Sequence, residues 1–357
     1  MPWIVAADVC GGMSESISNL MWADGRGGTM AILDNMYYIV NVALICLVIL
    51  GSPEVTGITY VSLYHIGLVE VAGSLFYNMS IYVTVSRCFG CCCCFTDSNT
   101  WISPFAKGLF RNYSLRNSKL VSTMLSMSVS LTVGNLLSQS EWQILTILAA
   151  YMGAPEVATW TIMGSIWEIF EYLPTAVNTA CEIRVSRHLG KGNPGMAKIA
   201  AYKSMFYSTI LVSFATAVFV YYRKQIIGLY TEIEFIQETL DSLVMQLGIA
   251  NILMVIGISA FTILCTQSRI HLATMCYVIC SLALTIPLAI YFVYIVGYGL
   301  QSILFSMIVG YSVSAMLLLL FVFTANWRHY SDAIIEENEV AIAESERISS
   351  ERYYNTY

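Results

Sequence analysis

Four carboxylates, Glu70, Glu141, Glu168 and Glu171, lie inside long apolar runs of this sequence. An acid in lipid costs about 2.5–3.5 kcal/mol on insertion scales, so each is a candidate for chemistry. The chemistry open to such a group is exchange of cations. Ionised, it attracts a cation; protonated, it does not. Low dielectric favours the neutral carboxyl and brings the switch towards physiological pH. Glu168 and Glu171 stand at i,i+3 and share one helix face. Their like charges oppose joint ionisation. They read either as a coupling pair or as a pair flanking a bend at Pro174 near interfacial water. Glu141 sits among Gln139, Ser140 and Gln143, a polar patch in mid-run that is expected to border an aqueous cavity. Glu70 follows His65 by five residues, a spacing that does not stack the two on one face. A proton relay and an interhelical hydrogen bond are the two readings, the second the simpler. Glu182 beside Arg184 reads as structural.

Aromatic residues cluster with these acids: Trp142, Trp160, Trp167, Phe170 and Tyr172. Aromatic faces next to a carboxylate hold planar organic cations. Aromatic belts at a membrane interface use the same residues, and that reading fits Tyr172 and Trp160 equally well. Cysteine is concentrated at Cys88, Cys91, Cys92, Cys93 and Cys94, at the end of an apolar run. Juxtamembrane cysteines of this kind read as S-palmitoylation sites or as a tolerated low-complexity patch. The second, separated ligand pair of a zinc site does not follow them. The sequence contains no P-loop pattern to drive work with ATP and no His/Cys/Asp constellation for catalysis. Neither a cofactor nor a metal is expected.

The elements that must position these groups follow from composition. Apolar residues make up 57% of the 357, only 11% are charged, and mean hydropathy is +0.68. Soluble domains carry about 25% charged residues. A soluble fold, a nucleic-acid binder, a disordered chain and a coiled coil are therefore excluded, and the surplus apolar surface calls for a lipid bilayer. A membrane helix needs about 20 apolar residues. Eight runs qualify: 35–51, 60–86, 120–151, 157–181, 202–222, 240–265, 272–296 and 299–325. They are too long for strands and lack alternation. Backbone groups in lipid must bond within their own segment, so the runs are helices. Of the 17 Lys and Arg residues, 15 fall on one side of such an arrangement and only Arg223 and Lys224 on the other. That split places both termini in the cytoplasm. Residues 1–35 read as a polar leader without a secretory apolar stretch, and 326–357 as an acidic cytoplasmic tail, helical or disordered. The sequon Asn78-Met79-Ser80 lies within a run and is expected to be unmodified.

Residues 119–325 resemble the second half of a multidrug and toxic compound extrusion (MATE) transporter. The resemblance rests on Pro174, Arg184-Val185, Leu189-Gly190, Gly192-Asn193-Pro194 and Ala197-Lys198, in the family's order and spacing. Ile144-Leu145 and Met152–Val157 match upstream; Ile286-Pro287-Leu288-Ala289 and Gly297-Tyr298-Gly299-Leu300 match downstream. The resemblance implies an all-α polytopic membrane protein with about eight transmembrane helices: the last two of the first lobe (36–86), an inter-lobe loop (87–119) and a complete second six-helix lobe (120–325). Four of the family's twelve helices are then lacking, which implies a second chain to complete the first lobe, a gene-model fragment, or a non-transporting remnant. The activity implied is antiport of small organic cations against H+ or Na+, by rocking of two lobes, in a plasma or organelle membrane. A lipid-linked oligosaccharide flippase shares the architecture but needs inward arginines, and the runs hold almost none. The acids usual in the family align here with Ser138, Gln143, Ser165 and Met254, and its Arg-Gly-x-Gly loop reads Cys265-Thr266-Gln267-Ser268. Glu141, Glu168, Glu171 and Glu70 remain as coupling candidates, with Ser138, Gln143, Trp142, Trp167 and Asn178 as candidates to line a substrate cavity.

Overall fold

The computed structural model describes residues 27–50, 63–85, 118–297 and 299–355, and every regular element among them is helical. The side chains of His65 and Ser138, the cysteines at 88–94, and the segments 1–26, 51–62 and 86–117 lie outside the described residues. The chain forms two compact units, Met1–Arg116 and Asn117–Tyr357.

The first unit is a pair of helices, α1 (Gly27–Leu50) and α2 (Leu63–Val85). α1 starts at Gly27, so the last nine residues of the expected leader are helical. Apolar positions carry the helix through them, and Asp34 is tolerated because the Tyr77 hydroxyl on α2 donates to its Oδ1. One turn further along α1, the Tyr37 hydroxyl lies 3.4 Å from that of Ser74. Gly73 lets the helices meet: a Cβ there would sit 3.0 Å from Asn41 Oδ1. Small residues allow this approach where lipid supplies no hydrophobic drive.

The second unit runs up and down. Its helices are α3 (Ser118–Met152), α4 (Ala154–Gly190), α5 (Pro194–Tyr230), α6 (Glu234–Thr266), α7 (Ile270–Cys280), α8 (Ile286–Tyr291), α9 (Leu300–Phe323) and α10 (Trp327–Asn355). Residues Ser281–Thr285 and Phe292–Val296 are π-helical turns on either side of α8. α4 is 37 residues long, runs through Pro174 and ends well past the expected end of 157–181, and α5 extends about two turns beyond 202–222 at each end. The turn between them is closed by Gly192 at φ 70°, with Asn193 N–H donating to His188 O at 2.9 Å and Pro194 opening α5. Only glycine holds that backbone without a Cβ penalty, and proline suits a first helical position. These residues of the Leu-Gly…Gly-Asn-Pro motif therefore have a mechanical explanation. Arg184 is exposed, and a side chain at Gly190 would meet nothing within 4 Å.

Five described helices are long and apolar enough to cross a bilayer: Ala31–Val48, Pro194–Tyr230, Glu234–Thr266, Ile270–Val296 and Leu300–Phe323. The other three expected spans fall on α2, α3 and α4, where polar residues dilute the apolar run. Large apolar side chains such as Phe206, Phe214, Met245, Phe305 and Met316 are exposed on the outside of the second unit. Such a coat needs lipid as its solvent.

The tail is not simply solvated. Trp327 is buried in the same apolar cluster as Val185, Leu189 and Ala201, and Ser331, fully buried, donates to Leu189 O at 2.7 Å. The start of α10 is therefore docked on the end of α4. Beyond Glu336 its described residues are exposed and acidic, as the charge pattern predicts.

Candidate functional site

Glu141 is the one candidate acid that the fold buries deeply. Its side chain is 3% exposed, and Ser281 Oγ donates to Oε2 at 2.7 Å. The other oxygen, Oε1, has no partner among the described residues. The carboxyl sits in a cleft formed with Tyr277, Ser281, Thr285, Gly310, Tyr311 and Ser314, too narrow to seat a water-sized sphere.

Local sequence explains the cleft. Pro287 has no N–H to donate to Ala283 and its ring would crowd that carbonyl, so the helix ladder changes step just before it. Ile286 N–H bonds instead to Ser281 O, five residues back. The widened turn carries Ser281 onto Glu141. α9 can lie against it because residue 310 is glycine: a Cβ there would fall 1.9 Å from Thr285 Oγ1. Pro287 itself is exposed, so its role is this change of ladder.

An aromatic column leads to the cleft. Trp160 and Trp142 stack with ring centroids 4.8 Å apart; Trp167 follows at 6.2 Å from Trp142, and Tyr311 at 6.1 Å from Trp167. Trp160 is 1% exposed and its indole N–H donates to Thr146 Oγ1 at 2.9 Å. The belt reading of Trp160 is therefore corrected: the ring is in the core, because its polar edge has a partner there. Tyr172 is exposed and stays compatible with an interface.

The remaining candidates separate. Gln139, Ser140 and Gln143 are exposed while Glu141 is buried, so the expected polar patch does not form one surface. Positions 141 and 143 are about 200° apart around a helix, which is the physical reason. Glu168 and Glu171 share an exposed face of α4. Tyr311 lies within electrostatic reach of both Glu141 and Glu171. Asn178 builds a second buried polar node: Ser259 Oγ donates to its Oδ1 at 3.0 Å and Ser208 Oγ at 3.4 Å, while Nδ2 has no partner among the described residues. Pro174, one turn before it, is buried in α4. Glu70 is half-buried on α2, in the other unit. No group of three or more His, Cys, Asp or Glu side chains able to hold a metal ion occurs among the described residues. Sequence reasoning missed Ser281, Thr285, Gly310 and Tyr311. The i,i+4 hydroxyls just before Pro287 were the available signal for the first two.

Residues 130–291, the stretch that holds Glu141, Ser281 and Pro287, match the MatE family model. Over those residues, a little under half of the chain, the sequence is similar to that family. Protein DETOXIFICATION 34 of Arabidopsis thaliana is 25% identical over 199 residues, covering 52% of this chain and 35% of that protein. The chain thus spans about a third of the length of that curated relative. Among solved structures, the eukaryotic MATE transporter AtDTX14 superposes with a TM-score of 0.80 at 16% identity, covering 94% of this chain and 70% of that one. The Vibrio cholerae MATE transporter VcmN gives 0.74 at 13% identity, covering 92% and 70%. At these identities the likeness fixes the fold. The similarity to that family together with the apolar helices makes this an integral, multi-pass membrane protein.

Proposed function

We propose that this MatE chain works in a secondary antiporter that exports small organic cations in exchange for protons, with Glu141 as the coupling carboxylate. The observation that carries this reading is the environment of Glu141: buried, tethered through one oxygen by Ser281, free at the other, and next to Tyr311. A carboxyl so placed can alternate between a neutral form and a charged form that must find a cation. The tightness of the cleft favours a proton, which needs no space of its own, over a sodium ion, which does. The column Trp160–Trp142–Trp167–Tyr311 offers aromatic faces for a planar cation, and Glu171, on the exposed face of α4, supplies a charge within reach of Tyr311. The bias of Lys and Arg supports cytoplasmic termini. Closing a transport path requires surfaces beyond the second lobe, supplied by the first lobe or by a partner chain.

The test is efflux of a fluorescent organic cation from cells lacking efflux pumps, with and without an imposed pH gradient. Wild type should export in a gradient-dependent way, and Glu141→Gln should abolish the dependence. Glu171→Gln should weaken apparent affinity for the cation more than it lowers the maximal rate. Export that ignores the gradient, or that is unchanged in Glu141→Gln, overturns the assignment.

A further inference from the structure

Glu141 needs a route to water, and its own cleft is closed. The second unit has a separate groove of about 510 Å3 between α3 and α7, lined by residues that include Ser122, Ser126, Ser130, His271 and Thr274. The two helices run in the same direction. Ser126 Oγ lies 3.5 Å from His271 Nε2; a Cβ at Gly134 would lie 3.1 Å from Thr274; Glu141 meets Ser281; Tyr151 and Tyr294 stack at 4.8 Å. The serines recur every four residues along α3, and His271, Thr274, Tyr277 and Ser281 recur every three or four along α7. Both series therefore hold one face of their helix. Thr274 is 6% exposed, lines the groove, and its Oγ1 has no partner among the described residues. One turn further along α7, Tyr277 already lines the Glu141 cleft. The whole path, from His271 to Ser281, is ten residues of helix, about 15 Å.

The charges around this path are few. The stretches 121–149 of α3, 242–266 of α6 and 300–323 of α9 contain no charged residue except Glu141. The other titratable groups there are Cys265 on α6, Tyr311 on α9, and Tyr277, Cys276 and Cys280 on α7 itself. Arg269, next to the mouth, is turned away: its guanidinium lies over the rings of Phe321 and Tyr330 and donates to Phe321 O at 3.3 Å. An imidazole is thus the first proton-exchanging group met from the end of the unit that carries the α4–α5 turn, and histidine is the side chain suited to that at neutral pH.

We propose that the α3–α7 groove is the aqueous path joining Glu141 to the basic end of the lobe, with His271 as the proton relay at its mouth. This rests on the reading of Glu141 as the coupling carboxylate. The neutral carboxyl gives up its proton to water in the groove, a ring nitrogen of His271 accepts one, and the imidazolium releases it to bulk water. No other bond changes. The hydroxyls of Ser126, Ser130 and Thr274 hold the waters that connect the two ends.

Cysteine labelling in vesicles tests the path directly on the full chain. A charged, membrane-impermeant methanethiosulfonate is applied from either side to Ser130→Cys and Thr274→Cys, with the wild-type protein's own cysteines as baseline. Lys191→Cys marks the basic end, Glu232→Cys the opposite end, and Phe214→Cys a lipid-facing site. Ser130→Cys and Thr274→Cys should react from the Lys191 side. They should outpace Phe214→Cys by roughly 100-fold or more, because a thiol in lipid is not ionised. His271→Gln should leave that labelling intact while flattening the pH dependence of efflux. Unreactive cysteines at both groove positions, in a protein whose Lys191→Cys reacts, overturn the path and leave the coupling role of Glu141 standing. Reactive cysteines together with undiminished efflux in Glu141→Gln overturn the proton role instead.

Discussion

Substituting Gly310 by alanine measures how tightly α9 is set against the π-turn that positions Ser281. The new Cβ would lie 1.9 Å from Thr285 Oγ1, 3.0 Å from its Cβ and 3.5 Å from its Cα. Rotating Thr285 removes the first clash only by bringing its hydrogen to face α9 and giving up the present position of a hydroxyl 3.4 Å from Cys280 O. The second contact remains a few tenths of an ångström too short, and it can relax only if backbone moves. Overpacking of that kind costs about 1–3 kcal/mol. Alanine in mid-helix returns up to about 1 kcal/mol relative to glycine. The cost is best read against a glycine with free space. Gly228 in α5 has nothing within 4 Å of an added Cβ, so Gly228→Ala should be neutral or stabilising. Equilibrium unfolding in detergent should therefore place Gly310→Ala about 1–3 kcal/mol below Gly228→Ala. In a double-mutant cycle Thr285→Ala should recover part of the difference, since it deletes the oxygen at 1.9 Å but not the Cβ at 3.0 Å. Equal stability of the two alanine variants, or a cycle with no coupling, would refute the close approach of α9 to the turn and with it the geometry assigned to Glu141.

Two further outcomes follow from the loops and the tail. Ser268 sits at φ 58° where the resembling family carries glycine, and a non-glycine residue there costs about 1–2 kcal/mol. Against a loss of up to about 1 kcal/mol from the freer unfolded chain, Ser268→Gly should raise stability by up to roughly 1 kcal/mol, read as a higher unfolding midpoint. Ser331→Ala removes a buried hydrogen bond of 2.7 Å to Leu189 O. That carbonyl keeps the Gly192 N–H, so the loss is about 1 kcal/mol, and limited proteolysis of α10 should speed up roughly fivefold while the rest of the unit resists.

The helical membrane class was legible because it rests on composition and run length, which packing cannot reverse. The turn Gly190–Pro194 was legible for a different reason: left-handed backbone and a first-turn proline leave residue-type signatures. Helix ends were not. α5 extends about two turns past its apolar run because the flanking stretches, Met196–Ala201 and Arg223–Ile227, are mostly good helix formers, while Lys198, Arg223 and Lys224 end the run that hydropathy sees. The tail shows the same blindness from the other side. Its acidic composition is real, yet Trp327 and Ser331 at its start are buried by residues nearly 130 positions earlier or more, which no local pattern encodes.

The site shows where local reading stops. Polarity in mid-run drew attention to Glu141, but grouping it with Gln139, Ser140 and Gln143 treated sequence neighbours as spatial ones. Helical geometry turns those three outward and leaves Glu141 to find its partner 140 residues away, at Ser281. That partner was foreseeable only through a chain of causes: a proline that forbids one hydrogen bond, a ladder that slips to the next carbonyl, and a hydroxyl rotated as a result. The glycine that completes the arrangement is visible as a need only once α9 is in place. The family-aligned positions Ser138 and Gln143 lack carboxyls, and the proposed function gives their part to a single acid between them, buried by another helix's irregularity. If that is how this lobe retains ion coupling, the unit that matters is the pair Glu141 and Pro287. Replacing Pro287 by alanine should then restore a regular α-helix, withdraw Ser281 and alter gradient-dependent efflux without touching the acid itself.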